Sequence, residues 1–203
     1  AHVRQALASC AADFAEGAVG AGRGMRCHQC KGGIGSASRI LTLDSVPYTL
    51  GALVLTNHGL WQDLVIGGDP VGRRLPLHRE AQSGDKGSCI ILLATDVPLS
   101  ERQLKRVCRR SIIGLSRLGS YMANGSGEIC LAFTTANRVP HYPEHAVLPL
   151  AMLHDEHIDA VFRAAAEAVE EAVLSSLLHA RAVPDRRGEP VPALADILAA
   201  SAP

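Results

Sequence analysis

Ser83-Gly84-Asp85-Lys86-Gly87-Ser88-Cys89-Ile90-Ile91-Leu92-Leu93-Ala94-Thr95-Asp96 is the stretch that decides the fold. A polar, glycine-bearing loop runs into an unbroken apolar run. Such a short run, bounded by turn residues, reads as a central strand buried on both faces. Pro98 ends it, and Ser100 with Gln103 has capping-box spacing for a helix that follows. Leu104, Val107, Cys108, Ser111, Leu115 and Leu118 then form one helical face, stopped by Gly119. After Asn124-Gly125-Ser126-Gly127, residues 128–136 read as another strand. Ile158, Phe162, Ala165, Val169, Ala172 and Leu177 stripe a long helix over about 157–180. The tail, 182–203, is proline-bearing, with one short helix.

Upstream of the deciding stretch, residues 67–87 are rich in Gly, Pro and Arg and mark a surface loop. Residues 48–56 (YTLGALVLT) read as a buried strand ending at Asn57-His58-Gly59. Two glycine-rich stretches precede it, at 16–24 and 31–39, and residues 2–14 alternate like a short helix. Continuous apolar strands need cover on both faces, and amphipathic helices supply it. The pattern predicts a layered mixed α/β domain, and no repeat or linker divides the 203 residues. The start, Ala1-His2-Val3, has no initiator methionine and falls inside an amphipathic pattern, so the reading is an N-terminally truncated chain.

Composition narrows the function. Lys plus Arg equals Asp plus Glu, which argues against nucleic acid or an anionic membrane surface as the partner. At 3% aromatic residues, a stacking platform for single strands is also disfavoured. No segment is apolar for long enough to span a bilayer, and the start resembles neither a signal nor a transit peptide. Six cysteines are scattered, several on apolar runs, which reads as a reducing, cytoplasmic setting.

Gly87-Ser88 carries the chemistry. On composition alone Ser88 is a strand-start residue. Its position allows more: a serine at a loop-to-strand junction can attack the carbonyl before it, and glycine there obstructs little. Hydrolysis of the resulting ester leaves Ser88 as a new amino terminus. A free α-amine, with a pKa of about 7.7–8.0, can act as that serine's own general base.

GSCIILLATDVPL, LKRVCRRSIIGLSRLGS and NGSGEICLAFTTAN resemble the family of L-aminopeptidase/D-esterases and β-peptidyl aminopeptidases. EGAVGAGRG, KGGIGSASR and LVLTNHG match the same family in the same order, as do AAEAVEEAVLSSLL and the VPAL tail. The resemblance covers nearly the whole chain. It implies an αββα sandwich resembling amino-terminal-nucleophile hydrolases, and self-cleavage between Gly87 and Ser88. Residues 1–87 would then end an α-chain and 88–203 form a β-chain, with the processed αβ units assembled into a homo-oligomer. The family's segment ahead of the serine is longer than 87 residues, so this chain by itself is expected to stay mostly uncut. Asn57 in LTNHG corresponds to the oxyanion-hole asparagine, and Ser126 and Glu128 in NGSGE to residues assisting the nucleophile. Ala18 and Arg23 depart from the family pattern without removing a catalytic group.

The implied activity is an aminopeptidase or amidase that releases amino-terminal residues from small peptides, amides or esters. The acyl-enzyme would form on Ser88, with no metal or organic cofactor. Two other readings stand beside it. One is acyl transfer of the ornithine-acetyltransferase type, against which Ser88 argues because that group uses threonine. The other is an inactive relative serving as a structural or binding subunit.

Other motifs read blandly. Gly20, Gly22 and Gly24 do not satisfy G-x-G-x-x-G. Those glycines are expected to shape loops near the active site. Cys27-His28-Gln29-Cys30 lacks a second CxxC for a structural zinc and reads as local loop cysteines. His141, His145, His154 and His157 read as solvated loop histidines, with Pro140 and Pro143 opposing a helical HxxxH.

Overall fold

The computed structural model describes residues 2–77, 84–142 and 145–201. Ser83 and Pro143, which figure in the readings above, lie outside them, as does part of the 67–87 loop. The elements run α1 (His2–Ala8), β1 (Arg26–Cys27), β2 (Cys30–Lys31), β3 (Ile34–Leu43), β4 (Val46–Asn57), α2 (Val71–Arg74), β5 (Ser88–Thr95), α3 (Glu101–Cys108), α4 (Ser111–Arg117), β6 (Gly127–Thr134), α5 (Asp159–Leu178), β7 (Val183–Pro184), β8 (Pro190–Val191) and α6 (Leu194–Ala200).

One sheet dominates, with strand order β3-β4-β5-β6. β3, β4 and β5 pair antiparallel, and β6 joins β5 in parallel, so the chain between them crosses over through α3 and α4. α5 lies across one face. Its buried side includes Ala165, Ala168, Val169, Ala172, Val173 and Leu177, with every stripe residue foreseen in the sequence buried. Facing them are Leu50, Ala52, Val54, Cys89, Ile91 and Leu93.

The approach of α5 to the sheet and to α4 is set by small residues. A Cβ on Gly35 of β3 would stand 2.0 Å from the Ala172 carbonyl oxygen. One on Gly114 of α4 would stand 2.6 Å from the Ala166 carbonyl oxygen. Backbone therefore packs on backbone at both places, which a larger residue at 35 or 114 would prevent.

Three features differ from the sequence reading. β5 alternates in burial instead of being enclosed on both sides. Its other face continues an open apolar surface made by Leu53, Ile90, Ile129, Leu131 and Phe133. Among the described residues a single helical layer covers the sheet, and a run apolar at every position looks the same whether one face or two is covered. The helix after Pro98 is two, because the chain turns at Arg109 and Arg110. There the Ser111 hydroxyl donates to the Cys108 carbonyl at 2.7 Å, and Arg110 stacks over Phe162 at 4.0 Å. Third, β3 is a full strand where the sequence shows only a glycine-rich stretch. The capping box holds: the Ser100 side chain accepts from the Gln103 N–H, and the Gln103 side chain accepts from the Ser100 N–H.

Gly35→Ala should destabilise the chain by about 3 kcal/mol or more, since backbone rather than a flexible side chain must give way. Gly51→Ala should stay within about 1 kcal/mol of the parent. Its added Cβ would meet the Ala94 carbonyl oxygen at 3.9 Å, an ordinary contact. Urea unfolding midpoints of the two variants check this.

Candidate active site

The end of the β4–β5 ladder builds the site. Asn57, the last residue of β4, pairs with Ser88, the first of β5. Cross-strand partners share a face, so both side chains belong to the open face of the sheet. Gly87 sits against the β4 backbone, where an added Cβ would come 1.9 Å from the Asn57 carbonyl oxygen. Only glycine fits there. The Gly87 carbonyl, which belongs to the Gly87–Ser88 peptide bond, accepts two hydrogen bonds. Ser88 Oγ donates to it at 2.7 Å and the Gly127 N–H at 3.3 Å. A hydroxyl and a backbone N–H thus converge on the carbonyl ahead of Ser88.

Asn57 is oriented by its surroundings. The backbone N–H of Arg26 donates to Oδ1 at 3.1 Å. A donor there demands the carbonyl end of the amide, which leaves the NH₂ end as the donor Asn57 can offer a ligand. Asn57, His58, Asp85 and Gly87 line a cleft of about 180 Å³ together with Arg26 and Gln29.

Asp85 is a site residue that sequence reasoning did not single out. It is buried, and its carboxylate accepts from the Gly87 N–H at 3.0 Å and the Gly59 N–H at 2.9 Å. It thereby ties the segment before Ser88 to the turn after Asn57. The D-x-G spacing of Asp85 and Gly87 was its sequence signal, since a short carboxylate commonly accepts from the N–H two residues on. Gly127 was also missed as an individual, though the NGSGE motif containing it was not.

Ser126 and Glu128 are brought together: the Ser126 hydroxyl donates to a Glu128 carboxylate oxygen. Glu128 is the register partner of Cys89, not Ser88, so strand alternation assigns it to the helix-covered face. No described hydrogen bond joins Ser88 to Ser126 or Glu128. The motif reaches Ser88 through Gly127, where an added Cβ would lie 3.4 Å from Ser88 Oγ.

The glycine-rich stretches form a knot beside β3. A Cβ on Gly33 would stand 2.0 Å from the Gly17 carbonyl oxygen. The buried Lys31 ammonium donates to the carbonyls of Gly22 at 2.9 Å, Gly32 at 2.9 Å and Met25. Burial, with Arg26 nearby, brings the Lys31 pKa down to about 8. Carbonyls converging on a cation are the opposite of a phosphate cradle, which needs N–H donors.

Cys27 and Cys30 are cross-strand partners at the ends of β1 and β2, both buried. Burial pushes the Cys27 thiol up to about 12. Burial, reinforced by His28, lowers the His58 pKa to about 4 despite the opposing pull of Asp85. Burial likewise lowers that of His28. Both imidazoles are therefore neutral near pH 7. His141 and His145 are exposed, and the His154 and His157 rings stand 6.3 Å apart.

The family model for peptidase family S58 matches residues 1–191. The β-peptidyl aminopeptidase BapA of Sphingosinicella microcystinivorans is 37% identical over 195 residues, covering 88% of this chain and 49% of that protein. The PH0078 protein of Pyrococcus horikoshii superposes with a TM-score of 0.88 at 49% identity, over 95% of this chain and 53% of that one. The L-aminopeptidase D-Ala-esterase/amidase of Ochrobactrum anthropi, described as a new variant among the Ntn hydrolase fold, superposes with a TM-score of 0.87. It is 38% identical, over 98% of this chain and 55% of that one. The chain spans about half the length of these relatives. Its mixed α/β layers are those of this Ntn-hydrolase-like group, and the chain belongs to peptidase family S58.

Proposed function

We propose that this protein is a self-processing serine aminopeptidase or amidase. It would release amino-terminal residues from small peptides, amides or esters through an acyl-enzyme on Ser88. The observation that carries the reading is the carbonyl of Gly87, held against β4 and met by both Ser88 Oγ and the Gly127 N–H.

In self-cleavage, Ser88 Oγ attacks the Gly87 carbonyl carbon. The C–N bond to Ser88 breaks, its nitrogen takes the hydroxyl proton, and an ester joins Gly87 to Oγ. Water hydrolyses the ester, leaving a Gly87 carboxylate and a free Ser88 amine. The cut would fall between Gly87 and Ser88, so that Ser88 begins the downstream piece. The Gly127 N–H is placed to stabilise the oxyanion of this first attack, and glycine at 87 permits the close seating.

In turnover, the freed amine takes the Ser88 hydroxyl proton as Oγ attacks the substrate carbonyl. The Asn57 amide donates to the oxyanion, and the leaving amine departs with a proton from the Ser88 ammonium. Water, deprotonated by the same amine, then releases the acyl group. The Ser126–Glu128 pair steadies the β6 end of the site and holds negative charge near the ammonium.

Processed αβ units would associate as a homo-oligomer, and the open apolar sheet face is the surface an αββα sandwich covers with its second sheet. No helix among the described residues is long and apolar enough to cross a membrane. Buried thiols at Cys27, Cys30 and Cys89, none in a disulfide, fit the reducing cytoplasm.

In the natively expressed protein, Ser88→Ala should abolish both self-cleavage and amidase activity, because one hydroxyl makes both attacks. Gly87→Ala should slow self-cleavage by about 10²-fold through misplacement of the carbonyl. Intact-mass time courses and amino-acid amide hydrolysis read these out. Parent-rate hydrolysis by Ser88→Ala would remove Ser88 from the mechanism.

Ser126→Ala and Glu128→Gln should each lower kcat by at least about tenfold while moving stability by less than about 1 kcal/mol. Asn57→Ala should lower kcat by about 10²–10³. Normal processing and turnover in both NGSGE variants would reduce that motif to a turn.

A further inference from the structure

We propose that Cys27, His28 and His58 form a buried binding site for a transition-metal ion of the zinc class, with one thiolate and two imidazole ligands. One ligand atom from each lies within 4.8 Å of the others. All three residues are buried, at 0%, 0% and 2% exposure.

The backbone makes the cluster. Cys27 ends β1, and His28 and Gln29 form the hairpin turn with φ of 46° and 64°. Two successive left-handed residues are what a tight two-residue hairpin requires. His58 follows β4 directly. The His28 N–H donates to the His58 carbonyl at 2.7 Å, and Gly59 lies so close that an added Cβ would be 2.6 Å from the His28 ring.

Hydrogen bonding then sets the ring chemistry. His28 Nδ1 lies 2.9 Å from the Leu60 carbonyl oxygen. A carbonyl only accepts, so Nδ1 carries the proton and Nε2 presents its lone pair. That pairing of an Nδ1–H to a backbone carbonyl is the usual support of a metal-ligating histidine. Nε2 of His28 and both ring nitrogens of His58 are buried without a hydrogen-bond partner. Buried polar atoms are nearly always bonded, so three beside a thiol call for a ligand. Thiolate and imidazole together select zinc and similar ions.

Ligand atoms of a tetrahedral zinc site stand ~3.3–3.6 Å apart, so the group closes by no more than roughly 1.5 Å. The buried Asp85 carboxylate acts electrostatically on both imidazoles and offsets the cation's charge. On binding, the Cys27 thiol releases its proton to solvent and its sulfur lone pair fills one position, one proton per ion. Three protein ligands leave a fourth position for water or another small ligand. The ion would fasten the β1–β2 hairpin to the turn that follows Asn57.

Titrating the metal-free 203-residue chain with Co²⁺ under reducing, anaerobic conditions tests this without any activity assay. One equivalent should produce tetrahedral d–d absorption and a near-ultraviolet thiolate-to-cobalt band, both removed by Zn²⁺. Cys27→Ala should lose the near-ultraviolet band and Cys30→Ala should keep it. His28→Ala and His58→Ala should each weaken binding by more than about tenfold. Absence of the band in the parent chain, or its survival in Cys27→Ala, would overturn the proposal. The parent measurement stands even if a variant fails to fold.

Discussion

The register between β4 and β5 governs everything else. From Leu50↔Thr95 to Asn57↔Ser88 the two strands pair without a bulge. Strand side chains alternate, so a slip of one residue would exchange the faces of a whole strand. Leu50, Ala52 and Val54 opposite Thr95, Leu93 and Ile91 hold the register by filling the space under α5. Core packing thus decides where the ladder ends, and its end is where Asn57 meets Ser88.

The two faces of the sheet divide the work. Small residues on α5 and β3 bring the helix down onto one face, where Gly35 makes the fit close, while Gly114 seats α4 against α5. The other face carries Asn57 and Ser88 at one end and exposed leucine, isoleucine and phenylalanine beyond them. Around the ladder's end, Asp85, Arg26 and Gly127 supply the fine placement. Each acts through a backbone N–H, given or received. Such contacts hold geometry without demanding large side chains, which suits the proposed attack on the Gly87–Ser88 bond.

Much of this was legible in the chain. The apolar runs at 48–56 and 88–96 announced β4 and β5, the Ser100/Gln103 spacing announced the start of α3, and the 3.6-residue stripe announced α5. β3 was hidden because Gly35-Ser36-Ala37-Ser38 is a run of small residues of low strand propensity, with Gly35 admitting α5. The break at Arg109–Arg110 was hidden because the apolar spacing runs on across it. Ser88, Asn57, Ser126 and Glu128 were named through family motifs. Their geometry shows that Ser88 and Asn57 are direct neighbours, while Ser126 and Glu128 form a separate pair reached through Gly127. The Cys27, His28 and His58 cluster was out of reach, since its third member lies thirty residues on and only β4 returns it to the hairpin.

In the proposed reaction one hydroxyl, at the first position of β5, makes both attacks. Labelling the natively expressed protein with a serine-directed phosphonylating reagent, followed by tandem mass spectrometry, tests it most directly. A single adduct is expected, on Ser88 Oγ, in a polypeptide whose first residue is Ser88. An adduct on Ser126 or another serine, with activity lost and Ser88 unmodified, would contradict it.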